Sequence, residues 1–181
     1  MLPTDELMQE HQIILSMLHV LTNICKQIEN KQVVPRKDLV DMLYFLKVFA
    51  DANHHGKEEN HLFPAMGRAG IPTEGGPIGM MLAEHTLGRQ HIANMSAAMV
   101  ATESDVNPTA YAEHARKYIN LLTLHIQKED NILYPIADSH LSDEEQETIR
   151  QGFIDTEVKQ LTGKRELLDV IIEDLKKSYT K

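Results

Sequence analysis

Long apolar seams at helical spacing, strong turn punctuation and a lack of strand-like alternation imply an all-α protein. The expected architecture is an antiparallel four-helix bundle with an extra C-terminal helical extension. The first helix is expected over residues 4–30. Leu7, Ile14, Leu18, Leu21 and Ile28 recur there at steps of four and three once His11 and Cys25 fill the gaps. Pro35 suits a helix start and opens the second helix, over 36–66. The run GRAGIPTEGGP then breaks the pattern and ends at Pro77. The third helix is expected over 78–102, with Met81, His85, Gly88, Ile92, Met95 and Met99 on its seam. The fourth begins near Pro108 and carries Tyr111, Ala115, Tyr118, Leu122, His125, Glu129 and Ile132. Ser142-Asp143-Glu144-Glu145 is a capping box and opens a fifth helical stretch. That stretch presents Ile149, Phe153, Leu161, Leu168, Ile171 and Leu175, with a weak point at Gly163. Residues 1–140 therefore read as the bundle, and 141–181 as an extension packed on it or used for homodimerisation. The sequence does not choose between these two roles.

A length of 181 residues suits one domain, or one domain with a tail. A net charge of −9 argues against holding nucleic acid or an anionic membrane through a basic field. No apolar run reaches the roughly 20 residues of a membrane span. The N-terminal MLPTDELMQEHQ is acidic and polar, unlike the basic and then apolar start of an export signal. With a single thiol, Cys25, these features point to the reducing cytoplasm. The unusual count is ten histidines, with no tryptophan.

Several of them occupy apolar positions. His11, His85 and His125 stand on three of the seams, and the second helix has a matching line of Ala50, His54, Glu58 and Leu62. Glu129 also lies on a seam. A single buried histidine is ordinary core chemistry. Four helices each turning a histidine inward, two of them with a glutamate one turn later, need a compensating charge, because an unpaired buried carboxylate costs several kcal/mol, about 3–5. A metal ion supplies that charge and binds both groups.

An internal repeat sharpens the argument. HHGKEENHLFP at 54–64 aligns without a gap on HIQKEDNILYP at 125–135. His54 pairs with His125, Lys57 with Lys128, Glu58 with Glu129, Leu62 with Leu133 and Pro64 with Pro135. Glu10-His11 and Glu84-His85 echo each other in the preceding helices. Two related hairpins, each giving one His and one His-x-x-x-Glu, suit two adjacent ions. The i, i+4 spacing sets imidazole and carboxylate on one helix face, about 6 Å apart at Cβ. The expected ligands are His11, His54, Glu58, His85, His125 and Glu129. Six ligands for two ions leave open positions for an oxo bridge, O2, NO or peroxide. His55-x-x-x-Glu59 has the same spacing as His54-x-x-x-Glu58, but His55 aligns with Ile126, which binds no metal. His55 and Glu59 are therefore expected to be solvated or to lie one layer outside the ligands.

These motifs resemble the hemerythrin-like (HHE cation-binding) domain over about residues 5–137. The resemblance implies an up-down-up-down bundle holding two non-haem iron ions (Fe2+/Fe3+) with carboxylate and oxo or hydroxo bridges. The chain differs from oxygen-carrying hemerythrins, which have a second His where Arg89 stands here. They also place Asp five residues after the fourth-helix His, so Asp130 rivals Glu129; Glu129 is preferred because it repeats Glu58. The remaining set is more similar to bacterial members linked to nitric oxide stress, iron-centre repair or peroxide handling. The expected function is binding of, or reaction with, O2, NO or peroxide, in nitrosative or oxidative stress. Iron or oxygen sensing or storage without turnover is the alternative. A ferritin-like centre needs two Glu-x-x-His motifs, and only Glu58-x-x-His61 has that form. Zinc satisfies the same ligand types, although bridged pairs favour iron or manganese. Glu10 and Glu84 are read as exposed charge or as groups orienting the ligands. Arg89 is read as a salt bridge to Glu84 or a contact for a bound anion. Cys25 is about 21 Å from His11 along the helix, too far to ligate.

Overall fold

The computed structural model describes residues 1–99 and 107–180. All the regular structure among these residues is helical. Helix α1 is Pro3–Glu29. Helix α2 covers residues 36–68 and changes character along its length: α-helical at Arg36–Phe45, π-helical at Leu46–His55 and Glu58–Leu62, and α-helical again at Phe63–Arg68. Helix α3 is Pro77–Ala98. Helix α4 covers 108–140, with a π turn at Glu129–Leu133 between Pro108–Lys128 and Tyr134–His140. Helices α5, Asp143–Leu161, and α6, Arg165–Tyr179, form the extension. Residues 100–102 of the expected third helix lie outside the described residues.

The π turns have a local cause in both copies of the repeat. A proline inside a helix gives up an N–H and crowds the carbonyl four residues back. Pro64 and Pro135 each follow a π turn, which lengthens the hydrogen-bond loop just where the proline must fit. The widened turn also shifts the seam. Ile132, expected inside, is 55% exposed, and Leu133 is buried in its place.

The buried residues form a polar layer between two apolar ones. One apolar cluster holds Ile14, Leu18, Ala50, Ile92, Leu122 and Ile126. The other holds Leu7, Leu62, Met66, Met81, Leu133 and Tyr134. His11, His54, Glu58, His85, His125 and Glu129 are all buried at positions between them along their helices. Each large apolar side chain buried in these layers contributes about 1.5–3 kcal/mol, which lets the fold tolerate the polar slab.

The extension packs onto both apolar layers. Phe153 and Ile149 enter the second, while Leu161, Leu168, Ile171 and Leu175 enter the first. Gly152 allows the close approach of α5: a Cβ there would stand 2.3 Å from the His61 ring. The break between α5 and α6 falls at Gly163, whose φ of +73° suits glycine. Tyr179 ties the end of α6 down, its hydroxyl donating to Asp38 at 2.6 Å.

Candidate metal centre

The four bundle helices deliver their inward histidines to one place. Two groups of four residues have ligand atoms within 4.8 Å of one another: His11, His54, Glu58 and Glu129, and His55, Glu58, His85 and His125. Glu58 belongs to both. Its Oε2 lies 3.4 Å from His85 Nε2 and 3.9 Å from His54 Nε2, so one carboxylate faces both clusters. Glu129 makes the reciprocal connection, with Oε2 3.3 Å from His11 Nε2 and Oε1 3.1 Å from His125 Nε2. The six residues expected from sequence are thus brought together.

His55 is the seventh member. It is buried, and its ring stacks on His85 with centroids 3.8 Å apart. Sequence reasoning set it aside because Ile126 occupies the aligned position. Ile126 is itself buried, so the position faces inward in both hairpins. Inward direction was the available signal, and the chemistry of the aligned residue concealed it. Glu59 lies outside the cluster and accepts from His85 Nδ1 at 2.7 Å.

Each of the five histidines has a carboxylate on Nδ1. His54 is held by Glu10 at 2.9 Å and His125 by Glu84 at 2.9 Å. His11 is held by Asp130 at 2.6 Å and His55 by Asp51 at 3.2 Å. These bonds fix the ring orientation and leave Nε2 for the interior, the arrangement usual around metal-bound imidazoles. They also separate the rivals at the end of the repeat: Glu129 faces the cluster, and Asp130 grips His11 from outside. Two lysines brace the outer layer. Lys57 donates to Glu10 at 2.7 Å, and Lys128 pairs with Glu84. Arg89 does not meet Glu84, as a pairing one turn away had suggested. It bonds Asp51 and Glu59 at 2.8 Å each, because Glu84 is already taken by His125 and Lys128.

The donor set suits a cation. His54 Nε2, Glu58 Oε2 and both oxygens of Glu129 are buried with no hydrogen-bond partner among the described residues. Beside them His85 Nε2 and His125 Nε2 meet each other at 3.0 Å. Burial and the Glu129 carboxylate push the Glu58 carboxyl well above its usual range. Burial also raises Glu129, but the charges of His125 and His11 outweigh it and hold that carboxyl well below. Burial and the His85 ring keep His55 far below the ordinary imidazole range, and burial with His11 lowers His54 to about 4. His11 goes the other way: burial lowers it, but Asp130 and Glu129 outweigh burial and raise it to about 9, and Glu129 and Glu84 likewise raise His125. The carboxylates thus draw positive charge into the slab, and a bound cation would supply that charge and displace the imidazole protons.

A model of the hemerythrin HHE cation binding domain matches residues 2–137. The chain belongs to this family. As a hemerythrin-type domain it takes its metal-binding character from the buried His and Glu clusters described above. Curated relatives include uncharacterized proteins of Mycobacterium bovis and of two Mycobacterium tuberculosis strains. Each is 22% identical over 178 residues, covering 96% of this chain and 69% of the relative. No solved structure matches the chain. Among the described residues, no helix of this hemerythrin-type chain is long and apolar enough to cross a membrane.

Proposed function

We propose that the chain holds a carboxylate-bridged pair of iron ions inside an up-down-up-down bundle of residues 1–140, with 141–181 as a helical extension. The observation that carries this reading is that the two four-residue clusters share Glu58. A carboxylate common to both groups favours two ions over one, and a bridged pair favours iron or manganese over zinc. His11, His54, Glu58, His85, His125 and Glu129 are the ligands. Iron bound there supplies open coordination positions for O2, NO or peroxide, within nitrosative or oxidative stress in a reducing cytoplasm.

The protein's own contribution is positioning and exclusion of water. The Nδ1 carboxylates hold each ring, and the apolar layers above and below keep the slab dry. The Tyr134 hydroxyl donates to Glu58 Oε1 at 2.7 Å and fixes the shared carboxylate.

Anaerobic iron loading of the full chain, followed by iron analysis and absorption spectroscopy after oxidation, tests the reading. About two irons per chain with an oxo-to-iron charge-transfer band is the expected result. An absence of bound metal after loading would overturn it. Peroxide and NO consumption by the loaded protein then divides turnover from the second reading, sensing or storage. Rates no higher than those of free iron favour the latter.

A further inference from the structure

The two halves of the site are built from one repeat, yet one half contains a polar trio that the other lacks. Asp51, His55 and Arg89 lie together beside His85. In the repeat register the corresponding residues of the other hairpin are Leu122, Ile126 and Leu15, all apolar. Three polar residues stand together at positions matched by apolar ones, with His55 buried and Asp51 and Arg89 half-buried around it, and they call for a common purpose.

Their bonding gives it. His55 Nδ1 meets Asp51 Oδ1 at 3.2 Å, and the same oxygen accepts from Arg89 Nε at 2.8 Å. Arg89 Nη2 donates to Glu59 Oε1 at 2.8 Å, and that oxygen accepts from His85 Nδ1 at 2.7 Å. One guanidinium therefore fixes two carboxylates, and each carboxylate fixes one of two rings stacked 3.8 Å apart. Arginine suits the task because its planar fork holds two acceptors in fixed directions. The outcome is that the His55 ligand atom joins those of His85, His125 and Glu58.

We infer that His55 is a seventh metal ligand, held in place by Asp51 and Arg89 as positioning residues, so that the two metal positions are unlike. The position at His55, His85 and His125 has three imidazoles, and the position at His11 and His54 has two. The inference rests on the two-ion reading above.

Anaerobic Fe(II) titration of the full chain, with Mössbauer spectra of the loaded protein, tests this. The unmodified chain is expected to take up two ions and to give two distinct iron signals. His55→Ala should weaken one ion by at least 10-fold and alter one signal, leaving the other ion within about twofold. Arg89→Met should weaken the same ion by about 10–100-fold, and Arg89→Lys should restore only part, since an ammonium lacks the fork. A merely structural role would weaken both ions in parallel, and that result overturns the proposal. So does a His55→Ala protein with both affinities and both signals unchanged. If His55→Ala fails to fold, the half-exposed Arg89 pair of variants decides on the same criteria. An unmodified chain binding fewer than two ions sinks the two-ion reading itself. Two ions with no selective effect of these variants sinks the present inference alone.

Discussion

The two hairpins share a plan for holding histidines and differ in what surrounds it. Glu10, His54 and Lys57 in one are matched by Glu84, His125 and Lys128 in the other. Asp130 on His11 is likewise matched by Glu59 on His85. Lys57, however, is wholly buried: α5 covers it, and its ammonium reaches Glu6, Glu10 and Glu157 over the Phe153 ring. Lys128 has no such cover; its side chain is 32% exposed, and Leu124 and Ile132 on the same helix lie open to solvent. Aligned residues thus carry the same bonds at very different energetic stakes. What differs is dielectric, because a charge deprived of its partner costs far more where water cannot reach it.

Lys57→Met should break this comparison most severely. It takes the ammonium from the buried Glu10, leaving that carboxylate only Asn53 and His54, and removes the link to α5, at a cost of about 3–5 kcal/mol. Chemical denaturation of the metal-free chain measures it, and a loss no larger than that of Lys128→Met would show burial to be irrelevant. Tyr134→Phe comes next. It makes the α4 copy match Phe63, its counterpart in α2, and leaves the buried Glu58 Oε1 without its donor. The expected loss is about 1–3 kcal/mol, or a melting temperature lower by about 2–4 °C for each kcal/mol. An unchanged melting temperature would mean that the hydroxyl is idle. The smallest effect belongs to Lys128→Met, about 0–1 kcal/mol. A cost near that of Lys57→Met would show that the half-exposed side of the site is as dry as the covered one.

Much of the site was legible because the repeat and the seams are periodic. The steps of four and three that place Leu7 and Ile14 inside also place His11 inside, and a charged group on a core seam announces a partner. What escaped was whatever depended on how far around a helix the burial extends. On α2, Asn53, His54, His55, Lys57 and Glu58 are all buried, a wider arc than one bundle seam supplies. Two conditions create it: the π-helical course of Leu46–His55 and the cover provided by α5 on the outer side. The exposed Ile132 is the converse, a register shift caused by the π turn before Pro135.

By itself the sequence determined the helices, the extension broken at Gly163, and six residues that the fold brings into one cluster. These follow from local rules: spacing, capping, proline and glycine. Only the tertiary structure decided that His55 joins the cluster, that Arg89 turns to Asp51 and Glu59 instead of Glu84, and that Lys57 is sealed from water. Each of those outcomes is a competition among neighbours from different helices. Side chains on one helix know their spacing, but which carboxylate reaches which cation is settled by the packing of the other five.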